Sequence, residues 1–572
     1  MFFAAPLLWT LALPPVQSAD AAATPAPDRK EALLRDFAAR IERSNAPFFG
    51  RVPLEKLEKQ VAAFRPKEDP RIELPARRLL AEHLMSFGRY EEAIAQLDRA
   101  LAIADGKVDG RKDGRGAQGV LKLLGLAWLR VAERANCIAL HGPDSCLWPL
   151  RGGAIHVDRT GGEQALACFR RAVELDPNDA AAMWLLNVAA MTLGVQQEAV
   201  PETWRIPAAR LAAEQELPRH RDVATALGLS GPNLAGGSAM DDFDGDGRLD
   251  LAISAMAPLA PLRLFLQREP GIFTDASEAA GITGQLGGLN LQHFDADGDG
   301  RLDLLVLRGG WMGAAGAIPC SLLLQQPDGR FLDRTLEAGI EVAGPTQAAC
   351  VADIDGDGDL DLFVGYENGG DDRWPSRLWR NRGDGTFDDI APAAGVVRCG
   401  FVKGCAFGDI DRDGRPDLYV ATMRGPNRLY RNVDGARFEE CAAARGVAAP
   451  ADAFSCFFLD HDQDGALDLW VSAYPECDRT AAMGAFAVQG AKRCDTQRLY
   501  RNDGRGTFVD VTAEVGLDRI AFPMGSNFGD VDNDGFPDLY LATGAPDYSA
   551  LYPNVLYRND GGRRFLDVSA ST

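Results

Sequence analysis

The stretch Asp409-Ile410-Asp411-Arg412-Asp413-Gly414-Arg415-Pro416-Asp417-Leu418 decides the fold. Three aspartates alternate at positions 1, 3 and 5, glycine stands at 6, and a fourth aspartate stands at 9. The same form recurs six times. Position 1 is Asp242, Asp295, Asp353, Asp409, Asp460 and Asp530, and position 3 is Asp244, Asp297, Asp355, Asp411, Asp462 and Asp532. Position 5 is Asp246, Asp299, Asp357, Asp413, Asp464 and Asp534, and position 9 is Asp250, Asp303, Asp361, Asp417, Asp468 and Asp538. Four carboxylates so close repel one another unless a cation sits among them. In a tight loop the alternating aspartates point inward, the glycine permits the sharp turn, and the last aspartate closes an all-oxygen shell that suits calcium better than magnesium. Position 7 is Arg248, Arg301, Asp359, Arg415, Ala466 and Phe536. A ligand position so indifferent to side chain is read as a backbone carbonyl.

An EF-hand loop begins the same way but needs a glutamate at position 12 and a helix after it. Here position 12 is Ile253, Val306, Val364, Val420, Val471 and Leu541, so a strand follows each loop. About six calcium sites are expected. At the ~10⁻⁴ to 10⁻³ M affinities of extracellular sites, a tenfold excess of ion stabilises by roughly 1.4 kcal/mol per site.

Between the loops recurs a second element. Leu429-Tyr430-Arg431-Asn432, Leu499-Tyr500-Arg501-Asn502 and Leu556-Tyr557-Arg558-Asn559 each lead through a glycine turn to a Phe-x-Asp strand. Such strands are expected at Phe273, Phe331, Phe387, Phe438, Phe508 and Phe565, with a seventh boundary at His220-Arg221-Asp222. Phe565 to Val568 is expected to close the ring beside Asp222 and Val223. The long interval between Asp460 and Asp530 is expected to hold a surface insertion.

With Phe528-Gly529 before the last loop and Gly544-Ala545-Pro546 after its strand, residues 219 to 571 resemble the FG-GAP or VCBS repeats of integrin α-subunits and the cartilage acidic protein family. The resemblance implies an all-β propeller of six visible repeats, six or seven blades, with calcium in the blade loops. Members that join tetratricopeptide-like helices to such repeats are similar over Asn136 to His156 and Trp184 to Asn187 too.

Upstream the periodicity is helical. Leu84, Gly88, Tyr90, Ala93, Leu97 and Ala100 resemble a tetratricopeptide (TPR) repeat, two amphipathic helices broken at a small residue. A looser copy runs from Glu163 to Leu175, stops at Asp176-Pro177, and restarts at Ala182. Between the copies, Asp105 to Gly119 reads as a linker. Its Gly114-x-Gly116-x-x-Gly119 matches a dinucleotide fingerprint by letter only, since no strand precedes it. The expected organisation is thus a signal peptide at 1–19, a linker at 20–30, an all-α TPR-like domain at 31–215 and the propeller at 219–572.

The 572 residues exceed one hydrophobic core. A net charge of −22 argues against nucleic acid as a partner. The apolar run Phe2 to Val16, ending in Gln17-Ser18-Ala19, resembles a secretory signal, and no later stretch is long enough for a transmembrane span. A secreted or periplasmic protein is expected. Eleven cysteines fit that compartment. Nearest-neighbour candidate pairs are Cys137 with Cys146, Cys320 with Cys350, Cys399 with Cys405, Cys441 with Cys456 and Cys477 with Cys494, with Cys168 left in a helix. Cys137, His141, Cys146 and His156 also have a spacing that could hold zinc. His461, inside a loop, reads as a surface residue.

The leading functional reading is a calcium-binding scaffold for a protein or glycan ligand. The alternative is a propeller enzyme acting on extracellular carbohydrate at the axis. No HExxH, GxSxG or P-loop pattern appears. An enzyme would bring polar and aromatic side chains to an open axial pocket; a scaffold would present a shallow axis and exposed apolar patches.

Overall fold

The computed structural model describes residues 29–571, apart from 66–68, 107–113, 143, 146, 230, 232, 371, 372, 546 and 547. The expected signal peptide, Cys146 and Pro546 therefore lie outside the described residues.

After each Asp-rich loop the apolar alternation forms a strand, and six four-stranded antiparallel sheets result. Each is a simple meander of consecutive strands: blade 1 spans residues 238–275, blade 2 290–333, blade 3 346–389, blade 4 401–440, blade 5 453–510 and blade 6 523–567. The first strands of successive blades lie side by side around the axis. Each Asp-rich loop joins a first strand to a second in constant register, Gly408 opposite Asp417 and Gly529 opposite Asp538. The expected Phe-x-Asp strands are the fourth strands.

Closure differs from expectation. Phe565–Asp567 pairs only with the third strand of its own blade, and 220–222 forms no strand. Buried clusters fill the junctions between blades 1 and 2, 2 and 3, 3 and 4, 4 and 5, and 5 and 6. Among the described residues none joins blade 6 to blade 1. Tyr540 of blade 6 is 43% exposed, whereas its counterpart Trp470 in blade 5 is fully buried. Met240 of blade 1 is 60% exposed. The connecting segment straps this seam from outside: Glu214 exchanges hydrogen bonds with the Asp567 backbone, Leu217 packs on Leu556 and Leu566, and Leu227 lies beside Gly271 of blade 1.

The helical region comprises α1 (Arg29–Glu42), α2 (Val52–Ala62), α3 (Pro70–Ser86), α4 (Tyr90–Ala104), α5 (Gly114–Glu133), α6 (Thr160–Leu175) and α7 (Ala180–Thr192), with shorter turns after it. The two expected helical hairpins are α3–α4, broken at Gly88, and α6–α7, where Asp179 caps α7 by accepting from the Ala182 N–H. The expected linker ends sooner on both counts. Arg29 and Lys30 already belong to α1, and Gly114 to Gly119 open α5 because nothing but glycine opposes the helix there.

The helices are not a separate layer. Leu34 and Ile41 of α1 pack on Met256, Leu286 and Met312 of blades 1 and 2. All of α7 is buried, against α6 on one side and Phe454, Tyr474, Phe522 and Tyr552 of blades 5 and 6 on the other. The fully buried Arg130 of α5 donates to the Tyr548 and Ala550 carbonyls. The blade 5 insertion is docked rather than a free surface loop. Its helix Arg479–Gly484 crosses α7 so closely that a Cβ on Gly484 would sit 1.9 Å from the Ala180 carbonyl oxygen.

Cys477 and Cys494 are joined across that insertion, as expected. Cys320 with Cys350, Cys399 with Cys405 and Cys441 with Cys456 are not. Sequence neighbours here face different places: Cys320 packs between blades 2 and 3, but Cys350 between 3 and 4. Cys405 is carried away from Cys399 along the extended strand Phe401–Gly408. Cys441 follows the fourth strand of blade 4, while Cys456 lies in the first of blade 5. Cys168 is half-buried in α6, and burial pushes its thiol up to about 11.

Candidate metal centres

Strand order puts all six Asp-rich loops on one face of the ring and the loops that touch the helices on the other. Within each loop the position-1 carboxylate accepts the backbone N–H groups of positions 5 and 6; in blade 4, Asp409 accepts from Asp413 and Gly414 at 3.1 and 2.9 Å. Gly414 has φ of 84°, a conformation that glycine adopts without steric cost. The position-5 carboxylate accepts the N–H of position 7. Position-7 arginine side chains fold back onto position 5, Arg248 pairing with Asp246, Arg301 with Asp299 and Arg415 with Asp413, while Arg248 Nε donates to the Gln267 carbonyl at 2.7 Å and Arg301 Nε to that of Gln325 at 3.1 Å.

The loops bring carboxylate oxygens together. Asp242, Asp244 and Asp246, then Asp295, Asp297 and Asp299, then Asp353, Asp355 and Asp357 each offer oxygens within 4.8 Å of one another, as do Asp409, Asp411 and Asp417. Arginines partly neutralise these groups: Arg268 reaches Asp244, Arg431 bridges Asp411 and Asp413, and Arg558 bridges Asp532 and Asp534. Two oxygens are left over. Asp297 Oδ1 and Asp411 Oδ1, both at position 3, are buried without any hydrogen-bond partner. Burial and the Asp295 charge push Asp297 above the usual carboxylate range.

Position 9 does more than close a shell. Its Oδ2 accepts the position-2 N–H and its Oδ1 an N–H of the third strand; for Asp417 the donors are Ile410 at 3.1 Å and Asn432 at 2.7 Å. Burial pushes Asp303 and Asp417 up to about 7 and Asp361 to about 6. His461 is a correction to the surface reading. It is 1% exposed, its ring pairs with Asp468, and it joins Asp462 and Asp468 in a further cluster. Position 2 is buried in the first five repeats, so the histidine takes a core place held elsewhere by Phe243, Ala296, Ile354 or Ile410; in blade 6 the same position, Val531, is 36% exposed.

The recurrent asparagine of the second element joins the blades. Asn381, Asn432, Asn502 and Asn559 donate to the position-2 carbonyls of the preceding blade, Ala296, Ile354, Ile410 and His461, at 2.8 to 3.0 Å; Gln325 does the same to Phe243. Gln267 of blade 1 instead donates to Leu249 of its own blade, so the seam lacks this bond as well. The repetition of the asparagine was visible in the sequence, but its partner in another repeat was not.

Polar and aromatic side chains do converge at the axis, beneath the helices. Lys403 is buried against Glu367, lies 3.4 Å from the Trp311 ring centroid, and is held down to about 8 by burial. Trp311 stacks on Phe454 at 5.8 Å. These groups fill that end of the axis. A cavity of about 290 Å³ lies elsewhere, between Trp148, Arg151, Arg219 and Ser569. Of the spacing considered for zinc, Cys137 Sγ and His156 Nε2 are 3.4 Å apart, whereas His141 turns outward to Asp222.

The profile of the FG-GAP-like repeat matches residues 242–306, 353–420, 409–471 and 487–541. Human cartilage acidic protein 1 is 26% identical over 346 residues, 56% of this chain and 48% of that protein. The Xenopus tropicalis protein of that name is 27% identical over 341 residues, 54% and 48% respectively. The chain thus spans about half the length of the curated relatives it matches. An exo-β-1,3-galactanase from Phanerochaete chrysosporium superposes with a TM-score of 0.28 at 7% identity, over 55% of this chain and 68% of that one.

Proposed function

Taking the chain as an FG-GAP-repeat propeller homologous to cartilage acidic protein 1, we propose that it is an exported scaffold held in shape by calcium in its six blade loops, presenting its faces to a protein or glycan ligand. The observation that carries the calcium reading is the pair of buried, partnerless oxygens on Asp297 and Asp411. An acceptor hidden from water with no donor is costly, and a hard cation removes that cost at once. The ion would be held by the carboxylates at positions 1, 3, 5 and 9, with the position-7 carbonyl, and would supply the positive charge that the arginines supply only in part. The scaffold reading draws support from the axis, whose helix-facing end is packed with Trp311, Phe454 and Lys403. No helix among the described residues is long and apolar enough to cross a membrane, which accords with export.

Calcium titration by calorimetry, with melting curves in calcium and in chelator, tests the reading. About six ions should bind, with a higher melting temperature in calcium than in magnesium. Asp297→Asn and Asp411→Asn should each remove one ion from the stoichiometry. Unchanged melting in chelator together with no calcium uptake would overturn the proposal.

A further inference from the structure

We infer that Cys350 and Cys405 are a thiol pair that closes to a disulfide and staples blade 3 to blade 4. The two residues lie on neighbouring first strands, Thr346–Ala352 and Phe401–Gly408. The register between those strands is set by Gln347 and Lys403: the Gln347 amide donates to the Lys403 carbonyl at 3.5 Å, and Lys403 Nζ donates to Gln347 Oε1 at 3.3 Å. Three residues beyond Gln347 comes Cys350, and two beyond Lys403 comes Cys405. Both side chains turn into the junction between the two blades, and the thiols are near enough that each perturbs the other. Both are half-buried and pack on the apolar cluster between the two blades. Neither belongs to an Asp-rich loop or to any other feature that explains it.

The chemistry is thiol–disulfide exchange. Each thiol gives up its proton, the pair gives up two electrons, one S–S bond forms between Cys350 and Cys405, and a small disulfide oxidant leaves as two thiols. The Cys477–Cys494 bond in the adjoining blade is of the same kind, and the expected compartment permits both. Burial pushes both thiols up, so the folded pair exchanges slowly. Position gives the staple its purpose. In a ring of six, the junction of blades 3 and 4 stands opposite the seam between blades 6 and 1, and a split ring opens by bending at the point opposite its split. A covalent link there resists that bending. Cys456, on the first strand of blade 5, is the competing partner for Cys405.

The test oxidises the full-length protein with oxidised glutathione, blocks remaining thiols by alkylation, and maps the unreduced digest by mass spectrometry. The expected result is a peptide linking Cys350 to Cys405 and a melting temperature several degrees above that of the reduced protein. Cys405→Ala should lose both, whereas Cys477→Ala should keep the linked peptide. Should Cys405→Ala fail to fold, Cys350→Ser and the linkage map of the unaltered chain decide the matter. Separate alkyl labels on Cys350 and Cys405 after oxidation, or a Cys405–Cys456 link, would overturn the inference.

Discussion

His156 is 5% exposed, with Nδ1 buried and without a partner and Nε2 against the Cys137 sulfur. Burial holds its pKa down to about 4, against 6.5 for an ordinary histidine. The unfolded chain therefore takes up a proton near pH 6.5 that the folded one refuses until about pH 4. Stability from the neutral ring is complete above pH 6.5 and is lost as pH falls through 4, by up to roughly 3 kcal/mol. Urea unfolding at pH 7 and pH 4.5 should show that loss, and His156→Gln should shrink it. At this scale the sequence was half readable. Cys137 and His156, two of the four residues whose spacing could hold zinc, lie side by side, but His141 goes to Asp222, 81 positions away, and no local pattern carries such a contact. His461 was misread for the opposite reason: its loop is polar, yet position 2 turns toward the core, as Ala466 and Asp468 of the same loop do.

The repeated asparagine acts at the scale of strands and blades. Asn432 holds the Ile354 carbonyl of blade 3 and the Pro416 carbonyl of its own blade, at 2.8 and 3.2 Å. Asn432→Ala leaves buried acceptors unsatisfied and should cost roughly 1–3 kcal/mol by denaturant unfolding. Gln267→Ala, at the matching place in blade 1, should cost less, because its amide reaches only Leu249 at the half-exposed seam. The glycine turns serve the same junctions. Gly435, at φ of 81°, sits so near Asp355 of the preceding blade that an added Cβ would come within 2.5 Å of that side chain. Loops, strands and their order were legible because the period and the apolar, mostly β-branched residue at position 12 are local. Which repeat each asparagine touches was not, since Ile354 lies 78 positions from Asn432.

For the molecule as a whole, six repeats in the sequence became six sheets, but the manner of closure did not follow from them. The face of Tyr540 and the face of Met240 carry apolar residues like those elsewhere in the ring; only the absence of a packed neighbour distinguishes them. Helices add ties that periodicity could not reveal, α1 to blades 1 and 2 and α7 to blades 5 and 6. Hydrogen exchange should register the difference. Amides in the second strands of blades 1 and 6, Asp250–Ile253 and Asp538–Thr543, should exchange faster than those of Asp361–Tyr366 and Asp417–Met423, which have packed sheets on both sides. Equal protection would show the seam to be as tight as the other junctions. Because every blade is one unbroken run of chain and the last contact is a strap rather than a shared sheet, the number of repeats is editable at this one place. A duplicated or deleted unit beside it would leave the five sewn junctions as they are, so lineages can lengthen or shorten the circle without first inventing a new way to shut it.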